Sequence, residues 1–162
     1  MNINHYKNLQ LNIIDVANYL ITYLNNNHIP LNNIQLNIFI FNVYANVFIN
    51  EKIILFTEEF SYGLYGPLNE KLYKELRTSY SYPIIKTIDK IIYPKDKPFD
   101  YKIIPYNESN ISNRDKKIIA KYLELSLNAL KYNDKKYETI LLTDKNYRKV
   151  IKMIDFKKFI IC

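Results

Sequence analysis

Two histidines, His5 and His28, and one cysteine, Cys162, are the only imidazole and thiol groups in this 162-residue chain. Metal sites need clustered His, Cys, Asp or Glu. Here the histidines lie far apart and the cysteine is the last residue, so no metal is expected. A Ser–His–Asp arrangement would have to recruit one of the two histidines. His28, beside Ile29-Pro30, reads instead as a loop or packing residue. The acidic pair Glu58-Glu59, with Asp15 elsewhere, could supply acid–base carboxylates. Adjacent residues on an extended strand point to opposite faces, so Glu58 and Glu59 read as solvated surface. With two glycines in the whole chain, a nucleophile elbow, a phosphate-binding loop and a dinucleotide fingerprint are all excluded. The expectation is a protein with no catalytic residues and no cofactor.

Both glycines fall in one hexapeptide, Tyr62-Gly63-Leu64-Tyr65-Gly66-Pro67. Glycine tolerates positive φ and close backbone approach, so this stretch is expected to hold a tight bend. Pro67 suits the first turn of a helix, and Leu68, Leu72 and Leu76 recur every four residues. The spacing predicts a third helix from Pro67 to Thr78, with Glu70 and Lys74 paired at i, i+4.

Before the bend, two helices are expected. Asn12 can cap the first, with Asp15 three residues on, and Ile13, Val16, Ala17, Leu20, Ile21 and Leu24 form one apolar face. Asn32 or Asn33 caps the second, which is apolar almost all round from Ile34 to Ile49. A helix of that kind is buried on most sides and forms the centre of the fold. Its polar stripe, Gln35, Asn42 and Asn46, reads as a thin solvent-facing edge or as a source of interhelical hydrogen bonds. Ile53–Phe56 and Glu59–Tyr62 read as two short strands.

Residues 79–111 carry four prolines, and the helical period vanishes. Ile84–Tyr93 and Tyr101–Ile104 read as strands of an irregular hairpin, an insertion or flap. Ser112 with Asp115 caps a fourth helix. Tyr137–Leu142 reads as a strand, and Thr143 or Asp144 starts a last helix. The fold class is mainly α with a minor antiparallel β element, one compact domain over residues 1–162.

The formal net charge is +7, from 23 Lys and Arg against 16 Asp and Glu. Only three of the cations are arginine, the better phosphate reader, and the lysines are mixed with acids. Codon drift in an AT-rich genome accounts for abundant Lys, Asn, Ile and Tyr. Nucleic acid is therefore the weaker partner class. Without a paired cysteine, an apolar leader or a ~20-residue apolar span, a cytoplasmic location off the membrane is expected.

Three blocks in order carry a family resemblance. Phe60-Ser61-Tyr62-Gly63-Leu64-Tyr65-Gly66-Pro67-Leu68 resembles the signature of the Panacea domain, a SocA-like antitoxin domain often associated with phages. Asp15-Val16-Ala17-Asn18-Tyr19-Leu20-Ile21 is similar to that family's first helix, and Asn33-Ile34-Gln35-Leu36-Asn37 to the opening of its second. Gly63 stands where the family has tryptophan, Leu64 where it has lysine, and Ile38 and Asn42 where it has lysine and phenylalanine. The resemblance implies a structural signature of Asp15, Asn18, Tyr19, Asn33, Phe60, Gly63, Gly66 and Pro67. It also implies neutralisation of a partner toxin by direct contact or by delivery to a protease. Inhibition of a host defence protein is a variant of that role. Partner anchors are expected at Tyr62, Tyr65, Tyr80, Tyr82 and Tyr93, since aromatics dominate interface energetics.

Overall fold

The computed structural model describes residues 6–63, 66–79, 81–97 and 99–132. The expected strand at Tyr137–Leu142 and the last helix lie outside them. The fold is mainly α, with three small strand pairs.

Helix α1 spans Ile13–Asn26, and the Asn12 side chain accepts from the Ile14 N–H at 2.9 Å. Helix α2 spans Asn33–Glu51 and opens with a full capping box. The Asn32 carboxamide accepts from Gln35 N, and the Gln35 side chain accepts from Asn32 N. Two orphan donors are thereby satisfied at one helix end. Helix α4, Asn113–Tyr132, begins where Ser112 Oγ accepts from Asp115 N at 3.2 Å.

α2 is the central element and touches α1, α4, β2 (Ile53–Ile54), β4 (Gly66–Leu68) and α3 (Glu70–Glu75). Thirteen of its 19 residues are buried, as its lack of a polar side predicts. One end of the core is aromatic. Tyr44 and Phe56 lie 4.5 Å apart between ring centroids, and Phe41 meets Phe60 edge-on at 5.1 Å. Phe60, read from the sequence as a signature residue, is thus a core side chain.

Asn42 and Asn46 differ from expectation: both are buried, at 0% and 6% exposure. The Asn46 amide donates back to the Asn42 carbonyl at 2.8 Å, and Asn50 does the same to Asn46. The i−4 carbonyl satisfies the Asn46 amide within the helix, so that side chain needs no water.

The glycine hexapeptide forms a hairpin. β3, Ser61–Gly63, pairs antiparallel with β4, and Gly63 faces Gly66. Pro67 therefore sits in a strand, opposite Tyr62, and not at the first turn of a helix. Helix α3 starts three residues later because Asn69 is the better cap. Its carboxamide accepts from Leu72 N at 2.8 Å, while its own amide donates to the Glu59 carbonyl at 2.7 Å. Its backbone N–H donates to Asn37 Oδ1 at 2.9 Å. Asn33 in turn donates to the Tyr73 carbonyl at 3.0 Å. α3 ends at Glu75, and a 3₁₀ turn follows over Arg77–Ser79. The Glu70–Lys74 pair forms at 3.1 Å.

Ile53–Ile54 pairs in parallel with β1, Lys7–Asn8, and not with the Glu59–Tyr62 stretch. β5, Lys90–Ile92, and β6, Lys102–Ile104, form a hairpin in the flap; the first strand is shorter than the expected Ile84–Tyr93, because Ile84 and Ile88 are bonded to the body and not to a strand.

Candidate partner-binding surface

The flap is tied to α1 by two asparagines. Asn18, 1% exposed, grips residue 88 at both main-chain atoms. Its amide donates to the Ile88 carbonyl at 2.9 Å, and its carbonyl accepts from Ile88 N at 2.6 Å. Asn25 donates to the Ile84 carbonyl at 3.2 Å, and Ile84 N donates to the Leu31 carbonyl at 2.9 Å. The Ile84 side chain enters the core. A 3₁₀ turn at Glu108–Asn110 brings the chain back, where the Asn110 amide donates to Asp15 Oδ1 at 3.1 Å.

Between these anchors the chain is exposed. Every residue of β5 and β6 is solvent-accessible. Eleven large hydrophobic residues are exposed among the described residues, and nine of them fall in residues 82–104. The exceptions are Ile29 and Ile49, so apolar exposure is concentrated in the flap. Strand alternation sets Ile91 and Ile103 on one face. Tyr93 and Tyr101 continue beside them, with ring centroids 6.3 Å apart. Phe99 is 93% exposed and Tyr82 74%.

A cavity of about 520 Å³ lies between the flap and the body. Asn12, Asp15 and Asn18 of the α1 end, Lys71 and Glu75 of α3, and Ile91, Tyr93 and Tyr106 of the flap line it. The Tyr106 hydroxyl is buried and makes no hydrogen bond among the described residues. Burial, then the nearby Glu108 carboxylate, pushes its pKa up to about 12, so it stays protonated.

Of the expected anchors, Tyr82 and Tyr93 lie in the exposed flap. Tyr62 contributes backbone to β3, and Tyr65 and Tyr80 lie outside the described residues. The sequence reading passed over Ile85, Ile91, Phe99, Tyr101 and Ile103. The matching Lys-Ile-Ile triplets at residues 90–92 and 102–104 were the available signal. The signature residues Asp15, Asn18 and Tyr19 prove to be flap and α4 supports. Tyr19 donates to the Lys116 carbonyl at 3.4 Å.

Glu58 is not solvated surface. Its Oε1 accepts from Ile13 N, the first amide of α1, at 3.3 Å, and its Oε2 is buried without a hydrogen bond among the described residues. The positive end of the helix dipole draws the carboxylate in. Among the described residues, no three His, Cys, Asp or Glu side chains gather into a metal-binding group. No helix among them is long and apolar enough to cross a membrane. No protein-family model, curated protein or solved structure matches the chain.

Proposed function

We propose that this chain is a non-catalytic protein-binding module that grips a partner protein with the flap at residues 81–106. The concentration of exposed apolar side chains there carries the reading. An aromatic side chain offers roughly 150–250 Å², so nine large residues at 39–93% exposure present on the order of 1,000 Å². A monomer exposes contiguous patches of a few hundred Å², whereas a standard interface takes ~800 Å² from each partner. The nine side chains together reach the second figure, divided by strand alternation between the two faces of the hairpin.

Its chemistry favours protein over nucleic acid. Five of the nine residues are isoleucine, which offers no π face for a base to stack on. Residues 81–106 hold five lysines and three aspartates, a weak excess of positive charge. An apolar partner surface with an acidic rim is complementary. The Panacea-like signature gives the role: an antitoxin-like protein that neutralises a partner toxin, with inhibition of a defence protein as the variant.

The test is growth rescue on co-expression with the protein encoded beside this one, followed by calorimetric titration of the pair. Tyr93→Ala with Tyr101→Ala removes two neighbouring, tilted rings, anchors of a kind worth about 2 kcal/mol each when central. Affinity is expected to fall by two orders of magnitude or more. Unchanged affinity in the double variant means that the flap is not the gripping surface.

A further inference from the structure

The two flap strands carry the same triplet, Lys-Ile-Ile, at residues 90–92 and 102–104. They pair antiparallel with Lys90 opposite Ile104, Ile91 opposite Ile103 and Ile92 opposite Lys102. This register sets isoleucine against isoleucine in the middle and never lysine against lysine. The hairpin therefore demonstrates, within one molecule, that the triplet is complementary to its own antiparallel copy.

Among the described residues the pair forms a sheet of two strands. One edge of β6 faces β5, and its other edge presents main-chain N–H and C=O groups that no strand among the described residues takes up. The β5 side is different, because Asn18 holds the chain at Ile88, two residues before the strand. β6 is the strand farther along the chain from that clamp, and its three residues are all exposed.

We propose that a second copy of this chain pairs with the β6 edge, giving a four-stranded sheet in the order β5-β6-β6-β5. A two-fold axis perpendicular to the sheet requires a strand residue to face its own copy. Centring on Lys102 would oppose two ammonium groups, which destabilises a strand pair. Centring on Ile103 sets Ile103 against Ile103 and Lys102 against Ile104, which repeats the register already seen inside the hairpin. The result is a row of four isoleucines across the sheet, Ile91 and Ile103 from each copy, flanked by Tyr93 and Tyr101. The self-pairing stands independently of the proposed partner, and it would present that partner with a doubled apolar face.

Sedimentation of the full chain, alone, from micromolar to sub-millimolar concentration, tests the pairing. Few ladder bonds form along a three-residue edge, so a dissociation constant on the order of 100 μM is expected. Association should strengthen with added salt, because each copy carries a formal charge of +7. Ile103→Lys puts lysine against lysine on the axis and should weaken dimerisation about tenfold. Within the hairpin the same change only repeats an existing lysine–isoleucine pair, so its melting curve should match wild type. Ile103→Glu should also be weakened, and an equimolar mixture of the Lys and Glu variants should recover the dimer as a heterodimer. A wild type monomeric at every concentration, or a mixture no better associated than its components, overturns the self-pairing. Either result leaves the partner titration above untouched, because no partner is present in this experiment.

Discussion

Asn18→Leu is the sharpest probe of how the flap is held. The substitution keeps the branched heavy-atom skeleton, in a somewhat bulkier form, and removes both hydrogen bonds to residue 88, at 2.9 and 2.6 Å. Leaving a buried donor and a buried acceptor unmatched costs roughly 1–3 kcal/mol each, so about 2–6 kcal/mol if the flap stays docked. The flap has another option: residue 88 can lift away and bond to water. The cost to global stability is then capped at the free energy of docking, and the remainder appears as local opening. Two readings follow from one variant. Chemical denaturation should show a loss of about 1–3 kcal/mol. Hydrogen exchange at the Ile88 amide should accelerate by far more than exchange at Val43, in the middle of α2. Asn18→Asp separates the two bonds, since a carboxylate still accepts from Ile88 N but cannot donate to its carbonyl. If Ile88 exchanges at the wild-type rate in Asn18→Leu, the amide clamp is not what holds the flap.

Other outcomes follow from the helix ends and the α2–α4 contact. His28 has φ 59° and Lys52 has φ 55°, a region that costs a side-chain-bearing residue roughly 1 kcal/mol. His28→Gly should raise stability by about that amount in urea denaturation; Lys52→Gly should gain less, because the Lys52 ammonium lies 5.7 Å from the Tyr6 ring centroid. Hydrogen bonds from Tyr122, then from Lys121, hold the Glu51 carboxyl below its ordinary pKa of 4.5. A depressed folded pKa gives stability that is present above the unfolded value and lost as pH falls through the folded one. Melting temperatures of Glu51→Gln should therefore fall less than wild type as pH drops below 4.5; parallel acid limbs would show that Glu51 gives no such support.

Much of the helical frame was legible because its signals are local. Asn12, Asn32 and Ser112 cap helices within three residues of themselves, and the unbroken apolar run of α2 could only be central. The start of α3 was misread because a local signal, Pro67 with leucines every four residues, competed with a distant one. Asn69 is fixed by Asn37 and by the Glu59 carbonyl, 32 and 10 residues away. No local spacing encodes that. Asn42 and Asn46 read as a solvent-facing edge or as interhelical bonding groups because asparagine is polar, yet both are buried, and Asn46 is made tolerable inside by its bond to the preceding turn. The isoleucines of the flap posed the opposite problem. Nothing in the residue type separates an exposed isoleucine from a core one, and only the lack of a covering element among the described residues leaves Ile91 and Ile103 about half exposed. Glu58 was misplaced for a related reason, since the helix end that recruits it lies 45 residues earlier.

The Asn18 clamp grips peptide atoms and ignores side-chain identity. Ile84 and Ile88 are the flap side chains that pack against the core, while both strands of the hairpin are exposed. Mutation can then rewrite the exposed letters of the flap without unseating its base, so the flap surface can change quickly while the scaffold stands still. That division of labour gives an engineer a short, replaceable cassette.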